Sequence, residues 1–412
     1  MSDPPIPRIV AVVGSGISGL GAAYLLSRHH FVVLFERDAR LGGHTCTVDV
    51  DSPDGPLALD TGFLVHNART YPNLVRLFEE IGISTAVSDM SFSVSCRRTG
   101  FEYSSRGLRG FFAQPRNAAR PSHLRLLSDI VRFNREAPAV LDAPGEPSIG
   151  EYLDGRRYSP GFVSRYLVPM TSAIWSASVS SVHGMPVKTL VRFFQNHGML
   201  AVSAHPAWRV VRGGSRSYID KLIAPLEGRA QTSAEVVSVV RDPGGVTLTL
   251  ARGGQFRADE VVFACHGDQI LPMLPDATAA ERDVLSAFTT TANEAWLHTD
   301  ARLLPASPWA RASWNYRVSE DEEAAPSVTY HLNRLQGLST TADYCVTLNP
   351  REPIDERAVI QRFSFRHPRF TGEAIRAQER WREISGVNRA HYCGAYWRYG
   401  FHEDGFMSAI RV

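Results

Sequence analysis

The chain has 412 residues, enough for two or three domains at about 150 residues each, and it can bury a core without a disulfide scaffold. With 44% hydrophobic and 21% charged residues, its composition is that of an ordinary globular protein, which excludes disordered, fibrous and small cysteine-rich classes. The net charge of +2 gives no electrostatic reason to expect a nucleic-acid partner.

Residues 8–13 form an apolar run suited to a buried parallel strand, and it leads straight into Gly14-Ser15-Gly16-Ile17-Ser18-Gly19. Helical spacing of Leu20, Ala23, Tyr24 and Leu26 follows, then a second apolar run over 31–35 that ends at Glu36. Strand, glycine turn, helix, strand and acid in this order make a dinucleotide-binding unit. Gly14 permits the tight turn, Gly16 lets backbone approach a pyrophosphate, and Gly19 lets the helix pack on the sheet. The helix start at Ile17 and Ser18 offers unpaired N–H groups to the phosphates. Glu36, 22 residues after Gly14, stands where an acid accepts hydrogen bonds from a ribose. In 37–45, which begins at Arg37, Gly42 and Gly43 again let backbone approach a ligand, with Arg40, Leu41, His44 and Thr45 around them. An ordinary surface turn is the alternative reading of that glycine pair.

Residues 69–82 carry Leu74, Leu77, Phe78 and Ile81 at helical spacing. Short strands are expected at 91–95 and 101–103. From 104 to 200 the pattern is mainly helical. Leu124, Leu127, Ile130, Val131 and Phe133 share a stretch with Arg125, Arg132 and Arg135. This fits a helix covering a substrate domain, or one resting on an anionic membrane surface. Phe111 and Phe112, expected to be exposed beside arginines, favour the second. Further strands are expected at 235–240, 246–250 and 261–265. Strand-like pieces between 292 and 366 read as one sheet bearing Trp296, Trp314, Tyr330 and Tyr344. Near the end, Gly394, Gly400 and Gly405 interrupt an aromatic run. Glu403, Asp404, Gly405 and Phe406 then open a short helix whose N–H groups would stabilise negative charge.

These segments resemble the flavin-containing amine oxidase superfamily: the glutamate, arginine and double glycine of 36–45, Asp60-Thr61-Gly62-Phe63, and the glycine-rich ending. The resemblance implies FAD as cofactor. It implies an α/β fold in which an FAD-binding Rossmann-like domain is interwoven with a mixed α+β substrate domain. On that basis 1–75, 206–291 and 385–412 build the FAD domain, and 76–205 (largely helical) and 292–384 (sheet) build the substrate domain. Arg40 and the Gly42-Gly43 loop would lie along pyrophosphate and flavin, Gly62 and Phe63 at the flavin, Val237 beside adenine, and Gly394 in the final flavin motif. Ala395 departs from the superfamily, which carries an acid there; the ribityl contact would come from backbone, Glu403 or Asp404.

More narrowly, DTGFLVHNARTYPNL, TSAIWSA, NHGML, FACHGDQIL and GAYWRYGFHEDG resemble bacterial NAD/FAD-binding proteins encoded with cyclopropane-fatty-acid-synthase-like methyltransferases. Some of that group desaturate methylated acyl chains of phospholipids on the way to furan fatty acids. The resemblance implies a phospholipid or fatty acyl substrate, a lipid methyltransferase as functional partner, and peripheral contact with the anionic inner face of the cell membrane. Rival readings are a fatty acid or carotenoid isomerase, an amine oxidase, and a non-catalytic FAD-binding partner.

Dehydrogenating an acyl chain needs an apolar tunnel and a positioned base. His402 and Glu403 are candidates because they adjoin the flavin motif; equally, His402 orients the loop and Glu403 caps the helix. His197 and His66 are further candidates. Many amine oxidases hold a water against flavin N5 with a lysine. The two lysines here, Lys188 and Lys221, lie outside the late substrate-domain strands, which weakens amine oxidation. No HExxH and no clustered Cys/His pattern occurs, so no metal is expected. Five scattered cysteines without a CxxC pair, and no signal peptide, fit a reducing cytoplasmic location.

Overall fold

The computed structural model describes residues 6–201, 206–319, 321 and 325–412. Strands β1 (Ile9–Val13) and β2 (Phe31–Phe35) pair in parallel in a five-stranded sheet. Glu260–Phe263 flanks β1 on its other side, Ala390–Tyr392 follows it, and Ala230–Gln231 lies beyond β2. Both strands are near-continuous apolar runs because both faces are covered. Val10, Val12, Val32 and Leu34 pack under helix α1 (Ile17–Leu26). Ala11, Val13, Val33 and Phe35 face a three-stranded layer through Val236, Val239 and Leu248.

The second unit is a seven-stranded sheet. Its strands stand in the order Val359–Pro368, Thr290–His298, Cys345–Leu348, Ser327–His331, Trp314–Arg317, Phe92–Cys96 and Phe101–Ser104. The hairpin expected near 91–103 therefore joins the late strands, because Phe92–Cys96 pairs in parallel with Trp314–Arg317. Residues 372–384 differ from the sequence reading. Ala374, Ala377 and Ile384 pack with Val261 and Tyr392 on the dinucleotide side, not on the seven-stranded sheet.

The helix Pro121–Glu136 is also phased differently from its apolar spacing. His123, Leu126, Asp129 and Phe133 face inward, while Leu124 and Val131 are exposed. The polar residues are drawn in by backbone partners: His123 Nε2 bonds to Phe111 O at 2.9 Å, and Asp129 accepts from Ser159 N at 3.0 Å. Phe111 is consequently buried, with its ring stacked 4.2 Å from His123, and Phe112 is half-buried. The expectation that both are exposed is corrected. Among the described residues, no helix is long and apolar enough to cross a membrane.

A buried ion pair ties the three-stranded layer to the parallel sheet. Arg241 donates to both Glu281 oxygens at 2.5 and 2.9 Å, and the Tyr392 hydroxyl donates to Glu281 at 2.6 Å. Both charged side chains are almost fully buried. Arg241→Met leaves Glu281 buried and uncompensated, so it should lower stability by about 3–5 kcal/mol in denaturant unfolding. A loss below about 1 kcal/mol, the value of an exposed pair, would contradict this reading.

Candidate cofactor and substrate cavity

A cavity of about 1400 Å³ is lined by both units. An ordinary small-molecule site holds roughly 300–1,000 Å³, so this one has room for more than one ligand. At the dinucleotide end, Gly14, Ser15, Gly16, Ile17 and Ser18 form one wall, Glu36 and Arg37 another, and Val237 lies beyond. A Cβ at Gly16 would meet nothing within 4 Å, so the backbone there borders open space. A Cβ at Gly19 would fall 1.8 Å from Gly14 O, so that glycine serves packing alone. α1 begins without a side-chain cap, leaving its first N–H groups for an anion. Glu36 is fixed at the end of β2 by Ser15 N (2.9 Å), Ser15 Oγ (2.6 Å) and Asp38 N (2.9 Å). His44 also lines the cavity, and its buried Nε2 has no protein partner. An open glycine cradle, an uncapped helix start, an acid at the second strand and an orphaned donor-acceptor fit FAD.

Two other histidines crowd His44. Its ring stacks on Phe365 at 5.0 Å and lies 5.2 Å from His367 and 6.2 Å from His266. Burial holds His266 and His367 at about 4, so both are neutral at pH 7. The hydrogen-bond network assigns the His367 tautomer. Asn349 Nδ2 donates to Asn293 Oδ1 at 2.8 Å, which turns Asn293 Nδ2 toward His367 Nδ1 at 3.2 Å. The Ser176 hydroxyl lies 2.9 Å from the same nitrogen. With two donors on Nδ1, the neutral ring carries its hydrogen on Nε2. His197 is the converse. Its Nδ1 lies 2.9 Å from Phe193 O and must donate, which leaves a lone pair on Nε2. Its ring stacks on Phe193 at 3.8 Å, and burial lowers it to about 4. Among the histidines that line the cavity, His197 thus presents an acceptor and His367 a donor.

Beyond the histidines the cavity crosses the seven-stranded sheet. Phe365, Ala295, Val346 and Leu348, Tyr330, Trp314 and Phe92 line it from six successive strands, and Arg106 follows the seventh. Val346, Tyr330, Trp314 and Phe92 are cross-strand partners in one row, and Ser105 N continues it by donating to Phe92 O. Six inter-strand spacings of about 4.8 Å make a span of roughly 29 Å. Met170, Ile174, Trp175 and Phe193 cover this floor from the helical side.

The remaining expected site residues divide. Gly62, Phe63, Gly43 and Gly394 line the cavity, as does His402, whose ring stacks on Phe63 at 3.8 Å. His402 Nε2 lies 3.1 Å from Thr45 Oγ1, which also contacts the Tyr218 hydroxyl. Glu403 does not reach the cavity. It accepts from Asn73 N (3.2 Å), Asn73 Nδ2 (2.6 Å) and Leu74 N (3.0 Å) at the start of helix α2 (Pro72–Glu80). With its oxygens occupied it caps α2, and its candidacy as a base is withdrawn. His66 is buried between Phe63 and Phe78 and does not line the cavity, so it too is withdrawn.

Asp404 accepts from Phe401 N at 3.0 Å and turns away from the cavity, so it makes no ribityl contact. Arg40 donates to Gly43 O (2.7 Å) and Thr45 O (3.0 Å), shaping the loop that also holds Leu41 and Gly42 behind the wall. Gly405 sits against Ile17, and the Phe406 ring lies against Gly21, which joins the C-terminal helix to α1. His367, Asn293 and Arg106 were missed by sequence reasoning, since only the strand pairing brings them to the site.

Two outcomes follow from this geometry. Gly16→Ala adds a methyl group where the protein has no atom, so the FAD-free protein should keep its thermal midpoint. FAD affinity should fall at least about tenfold in a fluorescence titration, the equivalent of about 1.4 kcal/mol. Unchanged affinity would place the cofactor elsewhere. The second outcome concerns pH. Burial holds His66, His197, His266, His298 and His367 at about 4 and His402 at about 3. Unfolded, they titrate near 6.5, so the stability they confer is complete above that value and is lost as pH falls through 4. Asp60 and Asp404, raised to about 6 and about 7 by burial, act with the opposite sign, their stability being lost as pH rises through those values. Six groups outweigh two. The melting temperature of the FAD-free protein should fall from pH 6.5 to 4; a rise would contradict the burial of neutral imidazoles.

The model of the family described as flavin containing amine oxidoreductase matches residues 17–363. Coproporphyrinogen III oxidase of Mycobacterium tuberculosis is 25% identical over 307 residues, 68% of this chain and 65% of the relative, so the chain spans just under two thirds of that protein's length. The structure of cyclohexylamine oxidase from Brevibacterium oxydans superposes with a TM-score of 0.68 at 14% identity, covering 98% of this chain and 97% of the other. A fatty acid isomerase from P. acnes that produces CLA superposes with a TM-score of 0.66 at 14% identity, covering 98% and 97%. At such identities the two structures share the fold with this chain. By the extent of the family match, the chain belongs to the flavin-containing amine oxidoreductases.

Proposed function

We propose that this protein is an FAD-dependent oxidoreductase that acts on a long apolar carbon chain, with acyl chains as the substrate class. The observation that carries the proposal is the row of apolar side chains crossing six of the seven strands of the sheet toward the FAD end. Bound there, FAD would supply a two-electron acceptor for hydrogen leaving the chain. The protein's part is to hold the chain, exclude water and handle a proton. His197, which lines the cavity with its Nε2 lone pair free, would take a proton from a carbon there. His367, with its Nε2–H, is placed to donate a hydrogen bond there. Desaturation of a –CH2–CH2– unit and the shift of an existing double bond both begin by breaking a C–H bond. The methyl-branched chain of the narrower resemblance is one member of this class, and a fatty acid isomerase shares the fold.

Amine oxidation is the second reading, favoured by the family's description and by the fold shared with cyclohexylamine oxidase. Against it, neither lysine lines the cavity. Lys188 is engaged by Ala143 O at 2.7 Å and Glu146 at 3.5 Å.

Product analysis separates the readings. With FAD-loaded protein and an unsaturated acyl substrate, mass spectrometry should show loss of two hydrogens, or an unchanged mass with a displaced double bond. Peroxide released from amines, with no change in any acyl chain, would overturn the proposal. His197→Ala should lower the rate about 10²–10⁴-fold while leaving chain binding intact. An unaltered rate would remove His197 as the base.

A further inference from the structure

We propose that Arg106 anchors an anionic head group at the outer end of the cavity, so that the substrate is a long apolar chain ending in a carboxylate or phosphate. This deepens the acyl-chain reading and rests on it. The outer end reaches the surface: Val87, which lines the cavity, is 71% exposed, and Ser105 is exposed beside half-buried Arg106.

The charge balance there is uneven. Arg106, Arg311 and Arg334 face two carboxylates, Asp89 and Asp343. Both acids are taken. Asp89 accepts from Ser91 N (2.8 Å), Ser313 Oγ (2.7 Å) and Ser91 Oγ, with Arg334 at 4.0 Å. Asp343 is held by His331 Nε2 at 2.8 Å and Arg311 Nη1 at 3.7 Å. Arg106 makes one hydrogen bond, from Nη1 to Arg311 O at 3.3 Å, and no carboxylate among the described residues pairs with it. One donor of five is used, so a planar fork of N–H groups remains for a ligand.

The surplus cation is also placed for its task. It stands one strand beyond Phe92, at the end of the apolar row that begins beside His44 and His367. A chain whose head is held at Arg106 runs over Trp314 and Tyr330 toward the FAD end. Of these five groups Arg106 and Asp89 line the cavity, and Asp89 is already engaged by Ser91 and Ser313, so a chain with an ammonium head meets Arg106 with no free carboxylate to pair with it and is disfavoured.

Titration calorimetry of the FAD-loaded protein with oleate, oleyl phosphate, oleyl alcohol and oleylamine tests this directly. Wild type should bind at least one of the two anions about tenfold or more tighter than the alcohol, with the amine weakest, as expected for a charge-assisted contact. Which anion binds tighter tells carboxylate from phosphate. Arg106→Met should erase the preference while alcohol affinity stays within about twofold. Arg106→Lys, which keeps the charge, should retain most of it and guards against a folding defect in the first variant. A preference surviving in Arg106→Met, or equal binding of alcohol and both anions by wild type, overturns the anchor and leaves the chain-binding cavity standing. If none of the four binds to wild type, the acyl-chain reading falls and the anchor with it.

Discussion

The site depends on a seam between two sheets. His44 follows the glycine loop of the parallel sheet, and its ring lies on Phe365 and beside His367 at the edge of the seven-stranded sheet. Neither sheet alone encloses a cavity. Gly16 and the start of α1 offer backbone donors on one side, and the apolar row from Phe365 to Phe92 offers a floor on the other. The joined volume is too large for one ordinary small ligand, which is the physical reason to place cofactor and substrate end to end.

Burial sets the chemistry of that seam. Desolvation removes the charge of His197, His266 and His367, at His266 against the pull of nearby Asp268, so all three enter the cavity neutral. Their polarity is then fixed by their second nitrogen. A carbonyl makes His197 an acceptor, and an amide and a hydroxyl make His367 a donor. Asn293 can play its part because Asn349 holds its oxygen, and Asn349 itself bends out of its strand with φ near 48°. Arg106, which no carboxylate among the described residues pairs with, stands at the other end of the cavity, where solvent is within reach.

The dinucleotide half was legible because its rules are local. Gly14, Gly16, Gly19 and Glu36 act within 23 residues of chain, and spacing alone assigns each a role. The substrate half was not, because its contacts span hundreds of residues. Phe92 lies beside Trp314, and His367 pairs across from Thr291. Glu403 reads equally as a base or a helix cap because its partner Asn73 is 330 residues away in sequence. In Pro121–Glu136, too, backbone groups of Phe111 and Ser159 draw His123 and Asp129 inward, which apolar spacing does not report. Periodicity reports where hydrophobic surface is needed, and it is silent on buried polar side chains that satisfy a distant loop.

The account's central claim is that one continuous cavity brings a long apolar chain to FAD. The most direct test is an anaerobic visible spectrum of the FAD-loaded protein before and after adding an unsaturated fatty acid, with a primary amine as the comparison. Perturbation or bleaching of the flavin band by the fatty acid, and none by the amine, is the predicted result. A band that responds to the amine and ignores the fatty acid would contradict it.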